Sequence, residues 1–221
     1  MRKVILDTET TGLDFSCDRI FEIACVEMLE YELTGNVFHY YVNPQRRLSD
    51  ESVAITNMSD DYLVNKPIFK TIAQEFIEFI DGATIIAHNA NFDVQMINAE
   101  LRRCGLPNLK NTIIDTLEIA RKTYPGGHNS LDNLCKKFKV NHNRGHHGAL
   151  KDAQDLSGVY YYLMNAYGIK HASIQDDLMS TLDNAEEQIT YEFNRVNIST
   201  VSLDDIQEHT RFCKQYEIDY N

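Results

Sequence analysis

Lys3-Val4-Ile5-Leu6-Asp7-Thr8-Glu9-Thr10-Thr11-Gly12 sets an apolar run directly against two acids and a glycine. Residues 3–7 have the look of a buried strand. Residues two apart on a strand project to one face, so Asp7 and Glu9 at its end point the same way. Like charges so close repel unless a cation lies between them, and hard carboxylate oxygens suit Mg²⁺ or Mn²⁺. The alternative is a solvated strand end with incidental acids.

Working outward, residues 20–29 and 36–42 mix aromatic and β-branched types with Gly35 between them, which predicts two strands joined as a hairpin. Ile68, Ile72, Phe76 and Phe79 recur at helical spacing, giving a helix over 68–80 that begins after Pro67. A strand at 83–87 and a helix at 91–103 follow, the helix ending before Gly105 and Pro107. A short strand at 112–115 precedes helices at 116–123, 130–138 and 148–166. Three strands followed by alternating helices and strands imply an α/β domain around a mixed sheet. Beyond Gly168 apolar density falls, which predicts a domain over 1–168 and an acidic, partly disordered tail over 169–221.

His88-Asn89-Ala90-Asn91-Phe92-Asp93 follows the strand 83–87 and opens a helix, placing Asp93 near the carboxyl edge of the sheet, where open α/β sheets keep their sites. An acid there is also an ordinary choice for the positive end of the helix dipole. His147-Gly148-Ala149-Leu150-Lys151-Asp152 is the third piece. Two helical residues five apart would not face one site. His147 therefore sits on a loop ahead of the helix, while Asp152 projects from an early turn. A loop histidine can take a proton near neutral pH. A zinc site built from His142, His146 and His147 is the competing reading, with no Cys or regular His pair to support it.

Five cysteines stand singly and in odd number, against a disulfide framework or a Cys-based zinc site. No run of 18 apolar residues is present, and no signal-peptide core precedes the first strand, so the expectation is a cytoplasmic protein. The net charge of −12 is unusual for a nucleic-acid binder. Residues 169–221, however, hold 11 Asp/Glu against 4 Lys/Arg and so carry −7 of it, leaving −5 for the rest. Two divalent ions at the acids above would bring that remainder to about −1.

Together the three pieces resemble the Exo I, Exo II and Exo III motifs of the DEDDh 3′→5′ exonucleases, a likeness that extends over residues 2–168. Arg121-Lys122, Asn129-Ser130-Leu131-Asp132 and Asp152-Ala153-Gln154 make it most similar to the proofreading epsilon-subunit family of bacterial DNA polymerase III. The resemblance implies an RNase H-like fold with a five-stranded mixed sheet. It also implies two divalent cations, Mg²⁺ or Mn²⁺, on Asp7, Glu9, Asp93 and Asp152, with His147 as general base. Substrate contacts are implied at Asp7, Glu9, Asp152, Glu51 and Thr56; many family members carry His at the position of Thr56.

The implied reaction is release of nucleoside 5′-monophosphates from a single-stranded or frayed 3′ end during DNA replication. A mismatched terminus costs less to unstack than a paired one. An RNA-trimming 3′-exoribonuclease shares the whole set, and an inactive scaffold is the non-enzymatic alternative. In the tail, Val201–His209 has the pattern of a capped amphipathic helix too small to bury itself. By resemblance the tail binds the polymerase catalytic (alpha) subunit, and Gln175-Asp176-Asp177-Leu178-Met179 resembles a sliding-clamp pentapeptide.

Overall fold

A computed structural model describes residues 2–140 and 145–182, with 169–182 as backbone only. In chain order the elements are β1 (Arg2–Thr10), β2 (Ile20–Leu29), β3 (Glu32–Tyr41), α1 (Asp50–Thr56), α2 (Asp60–Leu63), α3 (Phe69–Ile80), β4 (Thr84–Ala87), α4 (Ala90–Arg103), β5 (Ile113–Asp115), α5 (Thr116–Thr123), α6 (Leu131–Phe138) and α7 (Ala149–Leu182). The sheet has the order β3-β2-β1-β4-β5. β1–β2 and β2–β3 are antiparallel, β1–β4 and β4–β5 parallel. The five-stranded mixed sheet of the sequence reading is therefore present.

β1 is central and buried on both faces, which is why it reads as a continuous apolar run rather than an alternation. Val4 and Leu6 join a core with Ile72 and Phe76 of α3 and Met96 and Ile97 of α4. Ile5 faces the other way, into a core with Leu134 of α6 and Leu156 and Val159 of α7. Each such fully buried side chain is worth about 1.5–3 kcal/mol relative to exposure, so the two cores hold the sheet between two helical layers.

Three features differ from the sequence reading. β1 continues to Thr10, because Thr8, Glu9 and Thr10 still pair with β2. The β2–β3 turn lies at Glu30-Tyr31, with Glu30 at φ 52, and not at Gly35. Gly35, at φ 87, lies inside β3 where the β2–β3 register shifts, a use of glycine's backbone freedom that composition cannot distinguish from a turn. The carboxylate of Glu27 accepts there from Thr34 Oγ1 at 2.7 Å and Asn36 Nδ2 at 2.5 Å, filling the irregularity. The third is the pair of short helices α1 and α2, each started by a serine, Ser49 or Ser59, whose side chain accepts a hydrogen bond from a backbone N–H of the first turn.

The chain divides into compact units Met1–Met164 and Asn165–Asn221. The sheet lies in the first. In the second, the backbone of α7 runs on as helix to Leu182, through the Gln175–Met179 pentapeptide. Val201–His209 lies outside the described residues, as does His142.

Because β1, β4 and β5 run parallel, their carboxyl ends meet at one sheet edge. The end of β1 from Asp7 onward, the start of α4 and Asp115 ahead of α5 are thus brought to the same rim.

Candidate active site

Asp7 and Glu9 share the parity of Ile5 and so point toward the α7 side of the sheet, each half-buried. From that side come the loop residue His147 and, one turn on, Asp152, which is buried and whose N–H donates to Gly148 O at 2.9 Å as α7 begins. Glu9, His147 and Asp152 each bring a ligand-type atom within 4.8 Å of the others. His147 Nδ1 lies 3.2 Å from Asp152 Oδ2, and its ring is well exposed. The backbone N–H of His147 donates to Ile55 O at 3.1 Å, tying this loop to the last turn of α1.

Asp93 reaches the rim differently. It is buried in the first turn of α4 and accepts from Thr8 Oγ1 at 2.7 Å. Thr8 has the parity opposite to Asp7 and Glu9, so Asp93 is seated beside β1 rather than on the α7 face. It lies outside the Glu9–His147–Asp152 group, as does Asp7. The two are nonetheless electrostatic neighbours. Burial, then the charges of Asp93, Asp152, Glu9 and Glu22, hold the Asp7 carboxyl well above the usual carboxylate range. Burial pushes Asp93 up to about 7, against the lowering effect of its bond from Thr8. Carboxyl groups that cannot all ionise together unaided are a fit for divalent cations, and the donors here, carboxylate oxygens with one imidazole, are of the kind such ions take.

Glu51 is exposed in the first turn of α1, and Thr56 is buried at its end. The Thr56 hydroxyl donates to Ser52 O at 2.7 Å and accepts from Met58 N at 3.2 Å, so its one donor is committed within the chain. Of the histidines weighed for zinc, His147 groups with two carboxylates, and His146 is exposed beside it.

One set of residues escaped the sequence reading, and a second, with Arg121 and Ser130 in quoted motifs, was given no place in the site. Glu22 of β2 is buried, and its Oε1 lies 2.8 Å from His39 Nε2. Tyr41 is hydrogen-bonded to the same carboxylate, and burial with the Glu22 charge pushes its phenol up to about 12. A charge inside the otherwise apolar run Phe21–Val26 was the available signal. The second set lines a cleft of about 780 Å³ that opens from Asp7, His147 and Asp152 toward Arg121, His128 and Ser130. Loop residues around two glycines carry no periodicity that would have marked them.

The exonuclease family model matches residues 4–160. DNA polymerase III subunit epsilon of Rickettsia conorii is 42% identical over 227 residues, covering 97% of this chain and 96% of that protein. The same subunit of Rickettsia prowazekii is 49% identical over 169 residues, 74% of each. Among solved structures, exonuclease X in complex with 5′ overhanging duplex DNA aligns with TM-score 0.59 and 30% identity over 75% of this chain and 92% of that one. Three motifs on one sheet edge, a family match across both cores and close relatives along nearly the whole length lead to one statement: the chain belongs to the exonuclease family, in the group of DNA polymerase III epsilon subunits.

Proposed function

We propose that Asp7, Glu9, Asp93 and Asp152 hold two divalent cations, Mg²⁺ or Mn²⁺, and that His147 is the general base of a proofreading 3′→5′ exonuclease. The observation that carries this reading is the meeting of Glu9, His147 and Asp152 within 4.8 Å, with the mutually repelling Asp7 and Asp93 beside them. Cations bound there supply neutralisation of the phosphodiester and a more acidic attacking water. The chain's own part is positioning and proton transfer. With Nδ1 turned to Asp152, Nε2 of His147 takes the proton of the water as it attacks in line, and Asp152 keeps the ring oriented. A nucleoside 5′-monophosphate leaves. α1, tied to the His147 loop through Ile55 O, carries Glu51 and Thr56, the further residues of this reading for contact with the terminal nucleotide.

The relatives bear the name of a DNA polymerase III subunit, which favours DNA over RNA and places the activity in replication. The tail beyond the first compact unit is the candidate contact for the polymerase alpha subunit, and Gln175–Met179 for the sliding clamp, in the cytoplasm. No helix among the described residues is long and apolar enough to cross a membrane. The direct test is digestion of 5′-labelled single-stranded, paired and 3′-mismatched DNA, and of matched RNA, with Mg²⁺. Stepwise shortening from the 3′ end, fastest on single-stranded and mismatched DNA, is expected. Cleavage restricted to RNA would replace proofreading with RNA trimming, and no cleavage at all would leave a scaffold.

A further inference from the structure

Asp7 and Asp152 line one part of the 780 Å³ cleft, and a further carboxylate, Asp132, lines it from the start of α6. Its volume lies in the upper part of the roughly 300–1,000 Å³ span of small-molecule sites, more than one terminal nucleotide requires. The remaining wall comes from α5, the loop through Gly126 and Gly127, and the start of α6, and it brings Arg121 and His128 as well as Asp132. Arg121 lines it and has no hydrogen-bond or ion-pair partner among the described residues. By contrast Arg2, Arg19, Arg46 and Arg103 are each tied to a carboxylate. In a chain with 33 acids against 21 bases, an uncommitted guanidinium facing the same cleft as Asp7 and Asp152 stands out.

This wall is also fixed in place. His88, at the end of β4, lies with Nε2 2.9 Å from Asn129 O and Nδ1 2.9 Å from Thr116 Oγ1. A carbonyl can only accept, so Nε2 carries the proton and donates. Burial favours the neutral ring, so Nδ1 faces the Thr116 hydroxyl as an acceptor, sharing the hydroxyl's one proton with Ala87 O, 3.1 Å from the same oxygen. Asn129 Nδ2 donates in turn to Tyr124 O at 3.1 Å. His88 thus straps the loop beside Arg121 to the sheet edge that carries the catalytic residues.

We propose that Arg121 binds the phosphodiester one nucleotide upstream of the scissile bond, with His128 beside it, and that His88 is a positioning residue for that wall. The proposal rests on the exonuclease reading above and adds a second anchor for the strand. A guanidinium pairs with phosphate through a fixed fork of donors, without reading a base.

The test uses the full-length chain as wild type, Arg121→Ala and Arg121→Lys, on two substrates. One is a 5′-labelled oligothymidylate; the other is the p-nitrophenyl ester of thymidine 5′-monophosphate, a diester with no upstream phosphate. Arg121→Ala is expected to lower kcat/KM on the oligonucleotide about tenfold or more, chiefly through KM, and on the ester less than threefold, since a charged hydrogen bond is worth roughly 1.5–3 kcal/mol. In Ca²⁺, its oligonucleotide affinity should depend less steeply on salt, the log–log slope falling by about 0.7 for one lost contact to a single strand. Arg121→Lys should keep that slope while losing part of the affinity. Equal losses on both substrates, or an unchanged slope, would overturn the proposal. A wild type inert on both substrates would instead overturn the exonuclease reading, and this assignment with it.

Discussion

Glu9 and Glu22 stand directly opposite one another across the β1–β2 ladder, a pairing of like charges beneath the site. Facing anions destabilise a sheet unless something offsets them. His39, with Nε2 2.8 Å from Glu22 Oε1, is the group placed to do so. Replacing His39 by Ala leaves a buried carboxylate with a lost partner, and stability is expected to fall by about 1–3 kcal/mol. Urea unfolding in the absence of divalent ions measures it; an unaltered midpoint would show that Glu22 is satisfied without the imidazole.

The same crowding makes the ion-free protein sensitive to pH in a defined direction. Asp7 and Asp93 have folded-state values raised above the unfolded carboxylate near 3.8, Asp93 to about 7. The folded protein therefore binds protons more tightly than the unfolded chain between those limits, so stability is lost as pH rises from about 4 through 7. Thermal melting in chelator should show the midpoint dropping over that window, relative to a Asp7→Asn, Asp93→Asn variant. Saturating Mg²⁺ or Mn²⁺ should raise the midpoint most at the alkaline end, because cations take over from the protons; a ligand at 100 times its Kd adds about 2.7 kcal/mol.

Loss of a ligand and loss of the base should fail differently. Asp7→Ala removes an anion at the rim and is expected to abolish both Mg²⁺-dependent binding of a single-stranded 3′ end and cleavage, with slight recovery in excess Mn²⁺. His147→Ala should keep that binding and lose about 10²- to 10⁴-fold in rate, the usual worth of a positioned base. Its residual rate should climb with pH as hydroxide replaces the imidazole. His147 also lies within ligating distance of Glu9 and Asp152. Should its removal abolish binding as Asp7→Ala does, it is a ligand and not the base. Cleavage rate against pH, with oligonucleotide affinity in Ca²⁺, separates the two.

Gly12 offers a test of how the first motif is braced. A Cβ there would lie 2.5 Å from Asp18 Oδ2 and 2.8 Å from its Cγ. Asp18 is buried, accepts from Thr11 Oγ1 at 2.8 Å and Asp14 N at 2.9 Å, and pairs with Arg46 at 3.0 Å. Gly12→Ala must displace that carboxylate and is expected to cost about 1–3 kcal/mol as an overpacking change. Turnover should fall with it, because the strand end that presents Glu9 would shift. Calorimetry and single-turnover cleavage check the two effects together.

The elements legible in the sequence were those with a period or a boundary. α3 announced itself through Ile72 and Phe76 at helical spacing, and β1 through an unbroken apolar run. The motif acids were legible because carboxylates two apart at a strand end have few structural uses. Glu22 stayed hidden since its reason for being buried, His39, lies on another strand and appears only through the β2–β3 register. Arg121 and His88 stood in motifs the sequence displayed, but their part in the cleft wall did not: a strap from β4 to the α5–α6 loop joins residues 41 apart through a backbone carbonyl, which leaves no trace in side-chain pattern. Gly35 misled because a positive φ serves a bulge as well as a turn.

The parallel pairing of β1 with β4, Lys3 opposite Thr84, has a consequence for biosynthesis. During synthesis β1 cannot acquire its inner neighbour until the chain has grown from Lys3 to Thr84, and loop closure on that scale slows folding. Even a nascent chain that has closed this ladder and docked α4 possesses Asp7, Glu9 and Asp93 without His147 or Asp152. Synthesis therefore passes through a stage with four of the five strands paired and the rim still without its residues from α7 and the loop ahead of it. If the proposed roles of His147 and Asp152 hold, the ability to degrade a strand arrives with α7, the last part of the first compact unit to be made.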